Sequence, residues 1–478
     1  MSRVAPLSGY LHELRRTFAR AARQARACGH PVLAAASFPL EGVDPFRVFT
    51  AWDDGATPCL YWESHAPASR FFAWGCALEL SAHGDRRFAQ LQASWHTLLD
   101  SAVTDGPVAP RACGGFRFDT RGERHPHWAD FADASLMLAN LTVLHNADGG
   151  QVLCQHLVDA EDDPLALATY YCTLLLRLNR VPAADAGAPS LLSHRPDDPG
   201  AWQARAASAV DAIRAGRLGK VVLARDQRYE ATALPAAWQL LDGLRQQSGS
   251  AHLFACRRGS ACFLGATPER LVRVNGGELQ THAMAGTTAR DDDPQRDAAL
   301  AEALLASPKE RQEHGLVVDA IRQALHPLCQ HLEIAAEPEL HRLSRVQHLC
   351  TPIRGRPSHG VDLLDLVEAL HPTPAVGGHP RDAALDYIRH HEALDRGWYA
   401  GPLGWLDAEG NGDFLVALRS ALLTTDEARL FAGCGLVADS DPAREYRETC
   451  LKLAAMQAAL HIGEPLPEAR PRREARPL

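Results

Sequence analysis

The chain of 478 residues is 46% apolar and 22% charged, with 49 Lys and Arg against 58 Asp and Glu. These are ordinary globular proportions and exclude disordered, collagen-like, coiled-coil and small disulfide-scaffold classes. The net charge of −9 argues against a general nucleic-acid binder, whose footprint is basic; an anionic substrate would have to be met by locally gathered positive charge.

Length alone predicts about three domains. The twelve cysteines include no C-x-x-C pair, the closest being Cys256 and Cys262, so zinc-ribbon and thioredoxin-type sites find no support. Set in apolar stretches, they read as buried small hydrophobes in a reducing compartment, and a cytoplasmic location is expected. No run of 18 apolar residues marks a membrane helix.

In chain order, residues 1–26 are Arg-rich, with Leu11, Leu14, Phe18 and Ala22 at helical spacing. An amphipathic surface helix is predicted there in preference to a transit peptide. Strand-like runs at Val32–Ser37, Cys59–Ser64 and Gln151–His156 alternate with helical ones at Asp85–Ala102 and Pro164–Arg177. The Pro- and Ala-rich stretch from Val181 to Pro189 predicts a connection over 181–199. It separates an N-terminal part, 1–180, from a region over 200–462, and 463–478 is expected to be a frayed tail. Asp198-Pro199 starts a helix with Trp202, Ala206, Val210 and Ile213 on its apolar face and Gly216 at its end.

Lys220–Gln227 and Ala251–Val274 are β-like. Helices are predicted near 295–306, 308–328, 361–370, 380–391 and 442–461, with His390 and His391 facing solvent. Gly401–Val437 reads as a meander, with a turn at Glu409-Gly-Asn-Gly412, one strand over Phe414–Thr424, a turn near Asp426 and a strand over Arg429–Val437. Hairpin strands with segregated helices favour α+β over a doubly wound sheet. Gly433-Cys-Gly-Leu-Val-Ala438 fits the dinucleotide fingerprint, but Asp439-Ser-Asp-Pro442 intervenes before the next helix, and Val221 follows Gly219-Lys220, so neither a dinucleotide site nor a P-loop is expected.

Two helices carry suggestive carboxylates. Ser307-Pro-Lys-Glu310 is a capping box, and the helix it opens has Glu313 and His314 at the head of an apolar stripe. Glu313 is either exposed at a fraying end or partnered by a metal or cation. The helix begun by Asp441-Pro442 has Tyr446, Cys450, Leu453, Ala454 and Leu460 as its packing stripe, with Glu445, Glu448 and Lys452 on a narrow stripe beside it, either an ion-paired surface or carboxylates facing a site. Oxygen ligands without a His/Cys cluster would select a hard cation such as Mg²⁺. Lys220 shares a strand face with Val222 and Ala224 and reads as a desolvated base or as a lysine snorkelling from a strand end. Glu269, after the ladder-breaking Pro268, reads as a cleft acid or an exposed loop carboxylate. Arg419 reads as a mid-strand arginine sharing a face with Leu415, Ala417 and Ala421, which calls for a carboxylate, from a substrate or from an internal salt bridge.

Taken together, these segments resemble the chorismate-binding enzymes, which include isochorismate, salicylate, anthranilate and aminodeoxychorismate synthases. The resemblance rests on Lys220-Val-Val-Leu-Ala-Arg225, Phe263-Leu-Gly-Ala-Thr-Pro-Glu269, Met284-Ala-Gly-Thr287, Ser307 to His314 and Val346-Gln-His-Leu349. It continues through Leu370-His-Pro-Thr-Pro-Ala-Val-Gly-Gly378, Tyr399-Ala-Gly401, Phe414 to Arg419, Ala432-Gly-Cys-Gly-Leu-Val437 and Glu445 to Lys452. Gly114 to Asp119 and Trp128 to Met137 resemble isochorismate synthases with lower specificity. The resemblance implies a single large α+β fold of stacked antiparallel sheets flanked by helices, in place of three domains. The family's water-adding members carry a lysine where Lys220 stands, and Ala285 occupies the place of the lysine nucleophile of aminodeoxychorismate synthases; isochorismate synthase is therefore implied. Salicylate synthase, which adds pyruvate elimination, remains the alternative because Val376 would line the substrate ring.

By the same resemblance, Lys220 would deprotonate water for attack at C2 and Glu269 would protonate the departing C4 hydroxyl. Burial should push the first pKa down and the second up. Mg²⁺ would be held by Glu313 and Glu448, with Glu445 through water. Arg419, Tyr399 and Lys452 would hold carboxylates, Gly433 and Gly435 would offer N–H groups and His348 would face the ring. Ala285, Gly286, Thr287, Ala375 and Val376 would complete the chorismate site. No nucleic acid, membrane or obligatory glutamine amidotransferase partner is implied.

Overall fold

The computed structural model describes residues 7–65, 67–147, 149–178, 193–194, 197–231, 234–247, 249–342 and 346–460. The expected tail and most of the 181–199 connection lie outside the described residues. The described ends of that connection are structured: Ser193–His194 pairs with Tyr229 and Glu230, and Asp198 caps the next helix.

Proline dictates many of the helix starts. It follows Asp44, Asp198, Asp293, Ser307 and Asp441, and each of these side chains accepts a backbone N–H of the first turn. Proline has no N–H to leave unsatisfied and its φ is already helical, so the pair defines where the helix begins. The N-terminal helix Leu7–Cys28 buries Leu14, Phe18 and Ala22, as its periodicity predicts, and leaves Leu11 half-buried.

Among the described residues the strands form two sheets, one of 13 strands and one of 10. Both halves of the chain build both sheets: Cys59–His65 pairs with His252–Arg258 in the first, and Arg111–Phe116 pairs with Pro402–Asp407 in the second. The described pairings are antiparallel apart from Val32–Pro39 with Val103–Asp105. This is the expected α+β fold.

The first sheet is buried on both faces. Leu33 and Ala35 enter one hydrophobic cluster while Val32, Ala34 and Ala36 enter another, as period-two alternation requires. One cluster lies between the sheets, where Phe71 of the first meets Trp405 of the second with ring centroids 6.4 Å apart. The other lies under Leu7–Cys28, Pro45–Trp52, Pro164–Leu178 and Ala237–Gln247.

Two expectations need correction. Phe414–Thr424 is not one strand: Gly412–Val416 belongs to the second sheet and Ser420–Leu423 to the first. Arg419, expected mid-strand, sits in the break between them at φ 48°. The strands Glu278–Ala289 and Val346–Pro357, which pair along most of their length, were not anticipated. Phe263 is fully buried between Trp128, Phe131 and Phe254. Phe263→Ala is expected to lower the unfolding free energy by about 3–5 kcal/mol, read from the shift in the urea midpoint.

Candidate active site

Two neighbouring chain segments cross from sheet to sheet side by side. Ala261–Thr267 leaves the first sheet through Pro268 and Glu269 and becomes Arg270–Asn275 of the second, while Gly412–Val416 returns through Ala417–Arg419. The crossings are tied together: Val416 N donates to Glu269 O at 3.0 Å, Ala266 N to Arg419 O at 3.1 Å and Thr267 Oγ1 to Val416 O at 2.7 Å. Pro268 cannot donate to a ladder, and the left-handed φ of Arg419 turns the chain out of its strand. Glu269 and Arg419 are thereby placed on the wall of one cavity of about 240 Å³.

All of the residues assigned to the chorismate site from the resemblance line this cavity: Lys220, Glu269, Glu313, Glu445 and Glu448 with Arg419, Lys452, Tyr399 and His348, and also Ala285, Gly286, Thr287, Ala375, Val376, Gly433 and Gly435. Lys220 opens the strand Lys220–Glu230 and is 3% exposed, so it is enclosed and does not snorkel. Its Nζ donates to Glu313 Oε1 at 2.6 Å. Glu313 is thus neither a frayed exposed carboxylate nor alone.

On the opposite helix, Pro442–Ala459, Lys452 Nζ meets Glu448 Oε1 at 2.7 Å and donates to Gly433 O at 3.0 Å. The stripe is therefore ion-paired and also faces the site. Arg419 makes no ion pair with a described residue, and its burial, opposed by Tyr399 and Glu448, lowers its pKa. A cation without a protein partner, half-buried in a cavity wall, suits a ligand carboxylate.

Glycine makes the room for this arrangement. Val222 N donates to Gly377 O and Ala224 N to Glu392 Oε2, so these residues turn their polar groups away from Gly435 and Gly433, which pair with them. The N–H groups of Gly433 and Gly435 consequently point off the ladder on the far side, beyond Ser420, where the next strand ends its pairing. A Cβ on Gly435 would lie 2.9 Å from Lys220 Cε, and one on Gly433 would lie 3.3 Å from the Tyr399 hydroxyl. Across the cavity, Gly286 sits in a bulge at φ 77°, and its absent Cβ leaves space for Glu310 Oε2 at 3.2 Å.

Most of the titration shifts follow burial; burial raises Glu448 too, but Lys452 outweighs that rise and Glu448 is lowered. Desolvation raises Glu269 to about 7, with Lys220, Lys452 and Thr373 pulling the other way, so it is no exposed loop carboxylate. Burial, then Arg419 and Lys452, lowers His348 to about 3, which keeps the ring neutral; its Nδ1 lies 2.9 Å from Thr287 Oγ1. Tyr399 is raised by burial and stacks on Phe431 with centroids 5.1 Å apart. Glu310 and Glu445 are raised, first by burial and then by the carboxylates of Glu313 and Glu448 respectively.

Mutual repulsion of enclosed carboxylates on two helix N-termini is relieved by a cation, and the all-oxygen donors fit a hard one. Among the described residues no three His, Cys, Asp or Glu side chains are gathered closely enough to hold a metal alone. Mg²⁺ asks less of the protein, because it commonly takes one or two carboxylates and completes its shell with water and substrate oxygens.

Several lining residues were not anticipated. Glu310 was assigned to a capping box, but the Ser307 N–H is already taken by Leu304 O, so Glu310 has nothing to cap and turns to the cavity. Only the Ser307 half of the box forms, through Glu310 N. Arg396 also lines the cavity, paired in the interior with Glu392. Its one signal was the four-residue spacing from Glu392, hidden because the helix ends there. Gly433 to Ala438 continues a strand into a loop, so no dinucleotide turn exists. His390 and His391 are exposed, as expected.

The fold and cavity define an α+β enzyme whose site sets an acid and an amine beside a guanidinium that suits an anion. Residues 19–461 match the family described as chorismate binding enzyme, and the chain belongs to that family. The salicylate biosynthesis isochorismate synthase of Pseudomonas aeruginosa is 59% identical over 467 residues, 96% of this chain and 97% of the relative. The isochorismate synthase MenF of Bacillus subtilis is 31% identical over 464 residues, 94% and 98% of the two chains. The structure of MenF, the menaquinone-specific isochorismate synthase from Escherichia coli, matches with a TM-score of 0.76 at 25% identity over 93% of this chain and 100% of that one. Anthranilate synthase component I from Streptococcus pneumoniae shares the fold, with a TM-score of 0.67 at 24% identity over 81% and 92%. No helix among the described residues is long and apolar enough to cross a membrane.

Gly435→Ala is expected to displace Lys220 and to lower turnover on the order of 10²-fold, with little change in thermal stability. Gly9→Ala, whose added Cβ meets nothing within 4 Å, is the control and should leave turnover unchanged.

Proposed function

We propose that the protein is an isochorismate synthase acting on chorismate. The observation that carries the reading is the placement of an enclosed lysine, Lys220, and a carboxyl raised to about 7, Glu269, on one cavity wall with Arg419, a cation that makes no ion pair with a described residue. Lys220 takes a proton from a water whose oxygen bonds to C2. Both ring double bonds shift, the C4–O bond breaks, and Glu269 gives its proton to the departing hydroxyl, which leaves as water. One water is consumed and one released, so the reaction is reversible and needs no redox partner. Arg419 and Lys452 hold the substrate carboxylates, with the Tyr399 hydroxyl and the N–H groups of Gly433 and Gly435 beside them. His348, Thr287, Gly286, Ala285, Ala375 and Val376 enclose the ring.

Glu313 and Glu448, with Glu445 through water, would hold Mg²⁺. The chemistry the ion supplies when bound is neutralisation of the ring carboxylate. The name of the Pseudomonas aeruginosa relative supports isochorismate as product and salicylate as its destination. The test is chromatography of chorismate incubated with protein and Mg²⁺. Isochorismate is expected, formation should stop with a chelator and resume with added Mg²⁺, and Lys220→Ala should reduce it by about 10²–10⁴-fold. Salicylate and pyruvate formed without a second enzyme would assign the chain to salicylate synthase instead.

The acid must be protonated to act. Since burial lifts Glu269 to about 7, kcat/KM should fall as pH rises through that value, by about tenfold per unit. Lys452 opposes the lift, so Lys452→Met should move the falling limb to higher pH. A limb that stays in place in that variant, or no fall at all as pH rises through that value, would remove Glu269 from the role.

A further inference from the structure

The edge of the strand Lys220–Glu230 is finished in an unusual way. Lys220 and Val221 pair with His379 and Gly378, and Val222 N reaches Gly377 O at 2.9 Å, where the partner chain turns away. Two side chains then take over the ladder. Arg396 Nη2 donates to Val222 O at 2.8 Å, and Ala224 N donates to Glu392 Oε2 at 2.6 Å. The guanidinium and carboxylate are joined to each other, Nε to Oε1 at 2.6 Å and Nη2 to Oε2 at 2.5 Å, and both residues are 4% exposed. Arg396 Nη1 donates in addition to Val376 O at 2.9 Å. One planar group therefore holds two main-chain carbonyls, one on the strand that begins with Lys220 and one on the segment Ala375–Val376, and both strand and segment line the active-site cavity. Such a fork geometry is available to arginine and not to lysine.

We propose that the Glu392–Arg396 pair is a positioning element of the reaction. It sets the distance between the Val376 segment and the Lys220 strand, and so the placement of the substrate ring against its base. Arg396 acts through the carbonyls it holds, without bonding to the reacting atoms. The proposal rests on the isochorismate synthase reading for its kinetic consequence and on the fold alone for its mechanical one.

The test compares Arg396→Lys and Glu392→Gln with Arg389→Lys. Arg389 pairs with Asp119 at 2.6 Å and lies outside the cavity, so it controls for loss of a partly buried ion pair near the site. Arg396→Lys is expected to lower kcat about 100-fold with KM within about threefold of the parent, whereas Arg389→Lys keeps both. Hydrogen exchange at the amides of Val376 and Gly377, which donate to Thr373 O, should accelerate by roughly tenfold or more in Arg396→Lys and Glu392→Gln and stay unchanged in Arg389→Lys. Near-parental kcat in a folded Arg396→Lys protein, equal kinetic loss in Arg389→Lys, or unchanged exchange would overturn the proposal. A parent protein that leaves chorismate untouched would defeat the functional reading instead, and the exchange measurement would still decide the clip.

Discussion

The site depends on one constraint: two adjacent antiparallel segments leave their sheets at the same place and in opposite directions. A strand that changes sheet must abandon its ladder for a few residues, and the freed main-chain groups need new partners. Here the two crossings satisfy one another, through Val416 N to Glu269 O and Ala266 N to Arg419 O. The side chains carried on the crossings, Glu269 and Arg419, are thus held on rigid backbone although neither lies in a regular element. Loops on a scaffold usually trade precision for reach; the mutual bonding removes much of that trade here.

Charge is organised on the same principle of local compensation. Overall acidity and an anionic ligand are compatible because the cations that matter are few and enclosed. Lys452 is met by the carboxylate of Glu448, and Lys220, whenever it carries the proton, by that of Glu313, while Arg419 makes no ion pair with a described residue. An enclosed ion pair contributes little net stability once its desolvation is counted. These pairs are better understood as holding side chains in place, in a cavity where Glu313 and Glu448 also raise the proton affinity of Glu310 and Glu445.

Much of this was legible in the sequence where a residue acts through its own backbone preference. Asp-Pro and Ser-Pro announced helix starts because proline has few alternatives. The cavity residues come together because their motifs resemble a family, not because any one of them is diagnostic; Lys220, Glu313 and Glu445 each also have a plain structural reading. The misreadings share a cause. Phe414–Thr424 is apolar and β-branched enough to look like one strand, and no local pattern records that it changes sheets at Arg419. Glu310 occupies the reciprocal position of a capping box, and only the preceding helix end, which takes the Ser307 N–H, shows that it is free to turn inward. Arg396 and Glu392 lie beyond a helix terminus, where spacing carries no information about contact. The strand Glu278–Ala289 does alternate, at Leu279, Thr281 and Ala283, but short polar interruptions weaken the pattern.

The interleaving of the two halves has a consequence for the life history of the chain. Cys59–His65 in the first sheet and Arg111–Phe116 in the second finish their pairing on strands from the other half. During synthesis at roughly 5–20 residues per second, both edges emerge on the order of ten seconds or more before their partners. Unpaired edges of this kind template aggregation. A gene fragment encoding either half alone leaves an open edge in each sheet, at Cys59–His65 or its partner and at Arg111–Phe116 or its partner.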